Sequence, residues 1–237
     1  MRIKEIAGLF DMERIVPYFQ PIMDLQHHAV WSYECLARLV TDDERTFLPS
    51  EFLYLVERHQ CFGELSQRIF YNCASYFRNN NMAFSINISQ QDIVEPGFAK
   101  FLAEFLDNYP DPSRVTLELM ASTAFDYRDD FMSFLAICKT LNVRLFVDHF
   151  GAISSNITSI LDLPIDGVKV DGSLIRQVVK SQEALDFVGY LNQLADERNI
   201  AVIAEHIEDQ SALEAVQGLG IRYGQGFYFS RPQAFLN

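Results

Sequence analysis

The stretch Val143-Arg-Leu-Phe-Val-Asp-His-Phe-Gly151 reads as a buried strand that stops on two metal-capable side chains, Asp148 and His149. A carboxylate at the end of an apolar strand costs several kcal/mol if it is buried and unpaired. It is tolerated where it faces a partner, a cation or a solvated pocket. The same device recurs along the chain. Strand-like runs at 18–25, 30–39, 82–88, 115–119, 143–148, 167–171, 200–204 and 222–228 carry Glu34, Asn87, Glu118, Asp148, Lys169, Asp171, Glu205 and Gln225 within or beside them.

Helical patterns separate most of these runs, at 49–60, 63–78, 96–108, 129–141, 154–161, 183–198 and 210–219. Phe98, Phe101, Leu102 and Phe105 share one face of the third. Alternation at this spacing means parallel strands joined by crossovers, after an opening hairpin with Gln26-His-His as its turn. The strand count predicts an α/β fold, a TIM-like (β/α)8 barrel with one antiparallel strand near the start. No G-x-G-x-x-G or P-loop pattern follows a strand, which weighs against an open nucleotide-binding sheet. Residues 1–16 read as a lead-in with a short amphipathic helix. No linker or low-complexity run divides the 237 residues, so a single barrel domain over 1–237 is expected.

A net charge of −13 excludes DNA or RNA duplex as a partner, because attraction to phosphates has the wrong sign. A phosphorylated ligand would need cations or a local basic patch. Cys35, Cys61, Cys73 and Cys138 show no paired spacing and read as buried thiols. No signal core or membrane span is legible, and a cytoplasmic location is expected.

In a barrel the C-terminal strand ends converge on one face. Carboxylates and an amide oxygen gathered there select hard divalent cations, and a lysine among them suits an anionic substrate. The chemistry this points to is metal-assisted phosphoester hydrolysis. A single acid at a strand end is more often a helix cap or an ion-pair partner; the set carries the signal.

The chain resembles the EAL domain family, (β/α) barrels that hydrolyse or bind cyclic di-GMP, over residues 18–232. Tyr18-Phe-Gln-Pro-Ile is similar to the family's opening strand, and Glu34-Cys-Leu stands where Glu-Ala-Leu is expected. Ser85-Ile-Asn-Ile-Ser, Leu117-Glu-Leu, Leu163-Pro-Ile-Asp-Gly-Val-Lys-Val-Asp, Ala204-Glu-His-Ile-Glu and Gly224-Gln-Gly-Phe-Tyr-Phe-Ser-Arg-Pro match further motifs. The resemblance implies that Glu34, Asn87, Glu118 and Asp148 ligate a first Mg²⁺ or Mn²⁺ ion. Asp148 would bridge to a second ion, completed by Glu205. Lys169 would position the attacking water, Gln225 would fix a metal-bound water, and Gln20 and Arg38 would hold the nucleotide. Asp171 belongs to the same nucleotide-binding set. The product would be the linear dinucleotide pGpG. The family also implies a homodimer.

The departures fall together. Where the family reads Asp-Asp-Phe-Gly-Thr-Gly-Tyr-Ser-Ser, this chain has Asp148-His-Phe-Gly-Ala-Ile-Ser-Ser-Asn156. His149 therefore replaces a ligand of the second ion, and Ala152, Ile153 and Ser154 replace Thr-Gly-Tyr. Ala121 replaces the glutamate that anchors the same loop, and His206 replaces a glycine. His149 is either a substitute ligand, which favours Mn²⁺ or Zn²⁺ over Mg²⁺, or a hydrogen-bonding residue in a drifted site. Three outputs follow: a degenerate domain that binds cyclic di-GMP with weak or absent hydrolysis, a working phosphodiesterase, or a non-enzymatic module for a protein partner.

Overall fold

The computed structural model of the chain describes residues 2–151 and 157–236. Its strands are β1 (Ile15–Asp24), β2 (Ala29–Val40), β3 (Thr46–Phe47), β4 (Ala83–Asn87), β5 (Val115–Met120), β6 (Arg144–Phe150), β7 (Gly167–Val170), β8 (Ala201–Ala204) and β9 (Tyr223–Gly224). From β2 through β4 to β9, each strand pairs parallel with the next. β1 runs antiparallel to both β2 and β9 and so closes an eight-stranded ring. The short β3 lies outside it, paired with the end of β2. This is the expected TIM-like barrel with one reversed strand.

The inner strands need no polar face, because helices cover the outside of the sheet while side chains fill the inside. β7, Gly-Val-Lys-Val, is buried at every position, Lys169 included. On the outside, the helix Phe62–Phe77 buries Leu65, Ile69, Phe70, Cys73, Ala74 and Phe77. Phe70 meets Phe105 of the helix Pro96–Leu106 edge-on, with ring centroids 5.4 Å apart.

Inside the ring, side chains alternate with period two along each strand. Ile22, Phe146 and Ile203 form a buried cluster of their own, with Trp31 and Tyr223 packed against it. A Cβ on Gly167 would sit 2.4 Å from the Phe146 ring, so only glycine admits that ring. Two residues on from Phe146, Gly167 and Ile203 come Asp148, Lys169 and Glu205. The barrel is thus plugged by apolar side chains at one level and by ionic ones at the next.

Three expectations need correction. The lead-in is helical only over Arg2–Leu9; a 3₁₀ turn spans Met12–Arg14, and β1 already begins at Ile15. Ile15 is fully buried and packs in the barrel core, so the apolar end of the lead-in belongs to a strand. The last strand is two residues long rather than 222–228. Beyond Gly224 the chain bonds to the segment after β8 instead, with Ile207 N donating to Gln225 O and Tyr228 N to Ile207 O. Short helices at Gln90–Val94, Ala121–Asp126 and Gly172–Val178 were not foreseen. The expected helix 154–161 is present over Ile157–Leu161; Ala152, Ile153 and Ser154 lie outside the described residues.

Asp24 latches the closing seam between β1 and the start of β9. Its Oδ2 accepts from Arg222 Nε at 3.0 Å and Nη2 at 2.8 Å and lies 3.0 Å from His27 Nδ1. Its Oδ1 accepts from the amides of Gln26 and His27. Burial by itself would raise this carboxyl, but Arg222, His27 and the two amides outweigh it and hold the group well below the ordinary carboxylate range. A depressed carboxylate contributes stability that is complete above its unfolded pKa and lost as pH falls through the folded one. Asp24→Asn is therefore expected to lower unfolding free energy by about 1–3 kcal/mol at pH 7. The gap from the parent should narrow below about pH 4, as urea titrations at both pH values would show.

Candidate active site

Strand register gathers the polar residues. Gln20 on β1 stands opposite Glu34 on β2, Asn87 on β4 opposite Glu118 on β5, and Met120 opposite Asp148 on β6. At the centre lies Lys169. Its Nζ donates to Glu34 Oε2 and Glu118 Oε2, each at 2.9 Å, and pairs with Glu205 Oε1 at 3.0 Å. The side chain is wholly buried. Glu34 is further held by Asn87 Nδ2 at 2.9 Å on Oε1 and by Gln225 Nε2 at 2.6 Å on Oε2. Gln225 Nε2 also reaches Gln20 Oε1 at 3.1 Å, and Gln20 Nε2 donates to the Ser230 carbonyl at 3.0 Å.

The charges do not balance. Glu34, Glu118, Asp148 and Glu205 are all buried, and they share one ammonium. Burial pushes the Glu118 carboxyl up to about 8, with Lys169 only partly offsetting it and the Glu34 and Asp148 charges adding to the rise. Burial likewise raises Glu205 to about 7 against the pull of Lys169, with Asp148 and Glu34 raising it further. Burial acts the other way on Lys169, but Glu118, Glu205 and Glu34 together hold its pKa well above the usual value. For Glu34, Lys169 and the amide donors outweigh burial and keep the carboxylate ionised.

A cavity of about 1010 Å³ opens above this cluster. Gln20, Glu34, Arg38, Asn87, Asp148, His149, Glu205 and Gln225 line it. Lys169 and Glu118 do not; they lie beneath its floor. The three donors of Lys169 are directed at Glu34, Glu118 and Glu205, so here it acts on the carboxylates that line and floor the cavity. Asp171 is likewise absent from the cavity wall. It caps the helix Gly172–Val178 through Ser173 N at 2.7 Å and contacts His149 Nδ1 at 2.8 Å. Its partial burial is outweighed by the Ser173 and His149 hydrogen bonds, which bring the carboxyl down to about 2.

Arg38 is 8% exposed, and among the described residues its guanidinium makes one hydrogen bond, from Nη1 to the Ala37 carbonyl at 2.8 Å. Its remaining donors are available to an anion in the cavity. The motifs include Phe227 but give no notice of the rest of the apolar wall, with Leu53, Phe62, Leu65, Ile69 and Met120. Exposure is its signal: Met120 and Phe227 are 52% and 48% exposed beside motif residues that are buried.

The residues fit a divalent cation. Among the described residues Glu205 Oε2 and Gln225 Oε1 are buried without a hydrogen-bond partner, and the carboxylate excess needs positive charge. Among the described residues, one group offers three ligand atoms close together: Asp148, His149 and Glu205, within 4.8 Å of one another. Asn87 presents its NH2 to Glu34, so its oxygen would serve an ion only after the amide turns over.

A closed (β/α)8 barrel with carboxylates and a buried lysine at its mouth defines the class. A sequence model of the EAL domain matches residues 4–232, and the chain belongs to the EAL domain family. The cyclic di-GMP phosphodiesterase PdeB of Shewanella oneidensis is 25% identical over 235 residues, which are 96% of this chain and 28% of that protein. The chain thus spans less than a third of this relative's length. The PaMucR phosphodiesterase in its c-di-GMP complex superposes with a TM-score of 0.87 at 20% identity, covering 98% of each chain. The FimX EAL domain from Pseudomonas aeruginosa bound to c-di-GMP gives 0.87 at 18% identity, covering 100% of this chain and 96% of that one. At such identities the likeness is one of fold. Among the described residues, no helix is long and apolar enough to cross a membrane.

Removing one partner from a buried ionic cluster leaves the others uncompensated. Lys169→Met is expected to cost about 3–5 kcal/mol of stability at pH 7. Millimolar Mg²⁺ or Ca²⁺ should recover part of that loss in thermal melts, because a cation can then serve the carboxylates instead.

Proposed function

We propose that this domain binds cyclic di-GMP in the cavity at the barrel mouth and, with Mg²⁺, hydrolyses it to pGpG weakly or not at all. The observation that carries this reading is how the site divides. On one side Gln20, Glu34, Arg38, Asn87 and Gln225 keep the family's residue types and line one continuous cavity. On the other side Ala121 is a buried methyl where the family has a glutamate, and His149 is an imidazole where the family has an aspartate.

Phosphate recognition asks for a fixed guanidinium and a cavity of adequate size, and both are present. Hydrolysis asks for more. A divalent cation supplies an acidic water and neutralises charge gathering on the phosphate. In this chain Glu34, Asn87, Glu118 and Asp148 would hold a first ion, and Asp148, His149 and Glu205 a second. Lys169 keeps Glu34 ionised and holds Glu118 and Glu205 in place, and a cation would complete the neutralisation that Lys169 alone leaves partial. The second set has one carboxylate fewer than the family pattern, so Mg²⁺ is held less firmly there. Relatives named as cyclic di-GMP phosphodiesterases and fold neighbours with c-di-GMP bound support the nucleotide assignment.

Calorimetry with cyclic di-GMP in Ca²⁺ should show binding, weakened about 10–100-fold by Arg38→Ala through loss of charge-assisted hydrogen bonds. No heat with the unaltered chain would overturn the reading. Turnover to pGpG in Mg²⁺ should be slow, and the double variant Ala121→Glu with His149→Asp should raise it at least about tenfold. Equal, fast turnover by both forms would mean that hydrolysis never depended on these positions.

A further inference from the structure

His149 sits on backbone in the left-handed region, φ 55°, a conformation that His tolerates better than most residues with a side chain. The turn brings its own amide onto Asp148 Oδ1 at 2.7 Å. It also aims the two ring nitrogens in opposite senses. Nδ1 lies 2.8 Å from Asp171 Oδ2, and Nε2 lies 3.8 Å from Asp148 Oδ2. Asp171 is in turn held by Ser173 N. A carboxylate on one imidazole nitrogen fixes the tautomer in which the other nitrogen carries a lone pair; metal-bound histidines commonly have such a partner. Asp148 and Glu205 supply the remaining ligand atoms of the trio, and the buried Glu205 Oε2, on a residue 8% exposed, has no hydrogen-bond partner among the described residues.

We infer that His149 Nε2 ligates a borderline divalent ion, Mn²⁺ or Zn²⁺ in preference to Mg²⁺, and that Asp171 is the positioning residue that presents it. The inference deepens the reading of the mouth as a cation site. A neutral imidazole in place of a carboxylate leaves the charge of the trio one unit less negative and puts nitrogen where Mg²⁺ prefers oxygen, whereas Mn²⁺ and Zn²⁺ accept nitrogen. It also gives Asp171 a task that its absence from the cavity wall would otherwise leave without an explanation.

The test uses Mn²⁺ alone, with no nucleotide present, so that its result stands whether or not cyclic di-GMP binds. Pulsed electron paramagnetic resonance of Mn²⁺ on the unaltered chain should show coupling to an imidazole ¹⁴N. His149→Ala should abolish the coupling and weaken Mn²⁺ at this site about 10–100-fold, while His206→Ala, altering the other histidine on the cavity wall, should keep the coupling. Asp171→Asn should weaken Mn²⁺ about tenfold or more without removing the nitrogen signal. By competition calorimetry His149→Asp should narrow the preference for Mn²⁺ over Mg²⁺. Saturating Mn²⁺ without nitrogen coupling on the unaltered chain overturns the inference, and that measurement needs no variant to fold. Coupling that survives His149→Ala overturns it equally.

Discussion

Everything at the mouth of this barrel depends on one buried ammonium. Lys169 sits on a strand with no solvent-exposed position, and three carboxylates surround its Nζ at 2.9–3.0 Å. Removing such groups from water costs several kcal/mol each, and mutual attraction repays it only when geometry is close and the other lone pairs are served. Geometry here comes from strand register, which is why the ionic layer cannot be separated from the fold. The plug of Phe146, Ile22 and Ile203 one level away keeps water from below and strengthens every interaction above it. Four acids share this one ammonium, and the raised Glu118 and Glu205 carboxyls hold protons that a cation at the mouth would displace.

Much of this was legible in the chain because the signal was chemical as well as periodic. An acid closing an apolar strand has few explanations, and Glu118, Asp148 and Glu205 each announce a strand end that the register then brings to the same mouth. The ring closure followed from the strand count. What escaped reading did so for identifiable reasons. Ile15 and Val16 continue an amphipathic pattern as readily in a helix as in a strand, and only pairing with Leu39 and Arg38 decides it. The helices Ala121–Asp126 and Gly172–Val178 span fewer than two full turns and show no repeat for periodicity to detect. Phe62, Leu65 and Ile69 read as helix core, yet they also wall the cavity, since one helix face can serve both.

Lys169 and Asp171 show a different limit. Their place in the chain pointed to the mouth, and they are there, but one lies under the floor and the other behind His149. Sequence spacing locates a strand end; it does not say on which side of a layer the side chain stops. For Asp171 the difference decides its neighbours: its carboxylate meets the His149 ring and the Ser173 amide rather than the cavity wall.

The two histidines of the rim make the same point about the backbone. His149 and His206 both hold φ near 55°, and a left-handed non-glycine residue costs on the order of 1–3 kcal/mol unless its surroundings fix it. For His206 the surroundings include Gly172: a Cβ there would lie 2.3–2.4 Å from the imidazole, so the ring rests where only glycine leaves room. For His149 they are Asp148 through the amide and Asp171 through the ring. At position 149 the bend carries an imidazole whose two nitrogens face two carboxylates. That is the arrangement expected of a ligand and its support, and the inferred preference for Mn²⁺ or Zn²⁺ over Mg²⁺ at this rim rests on it.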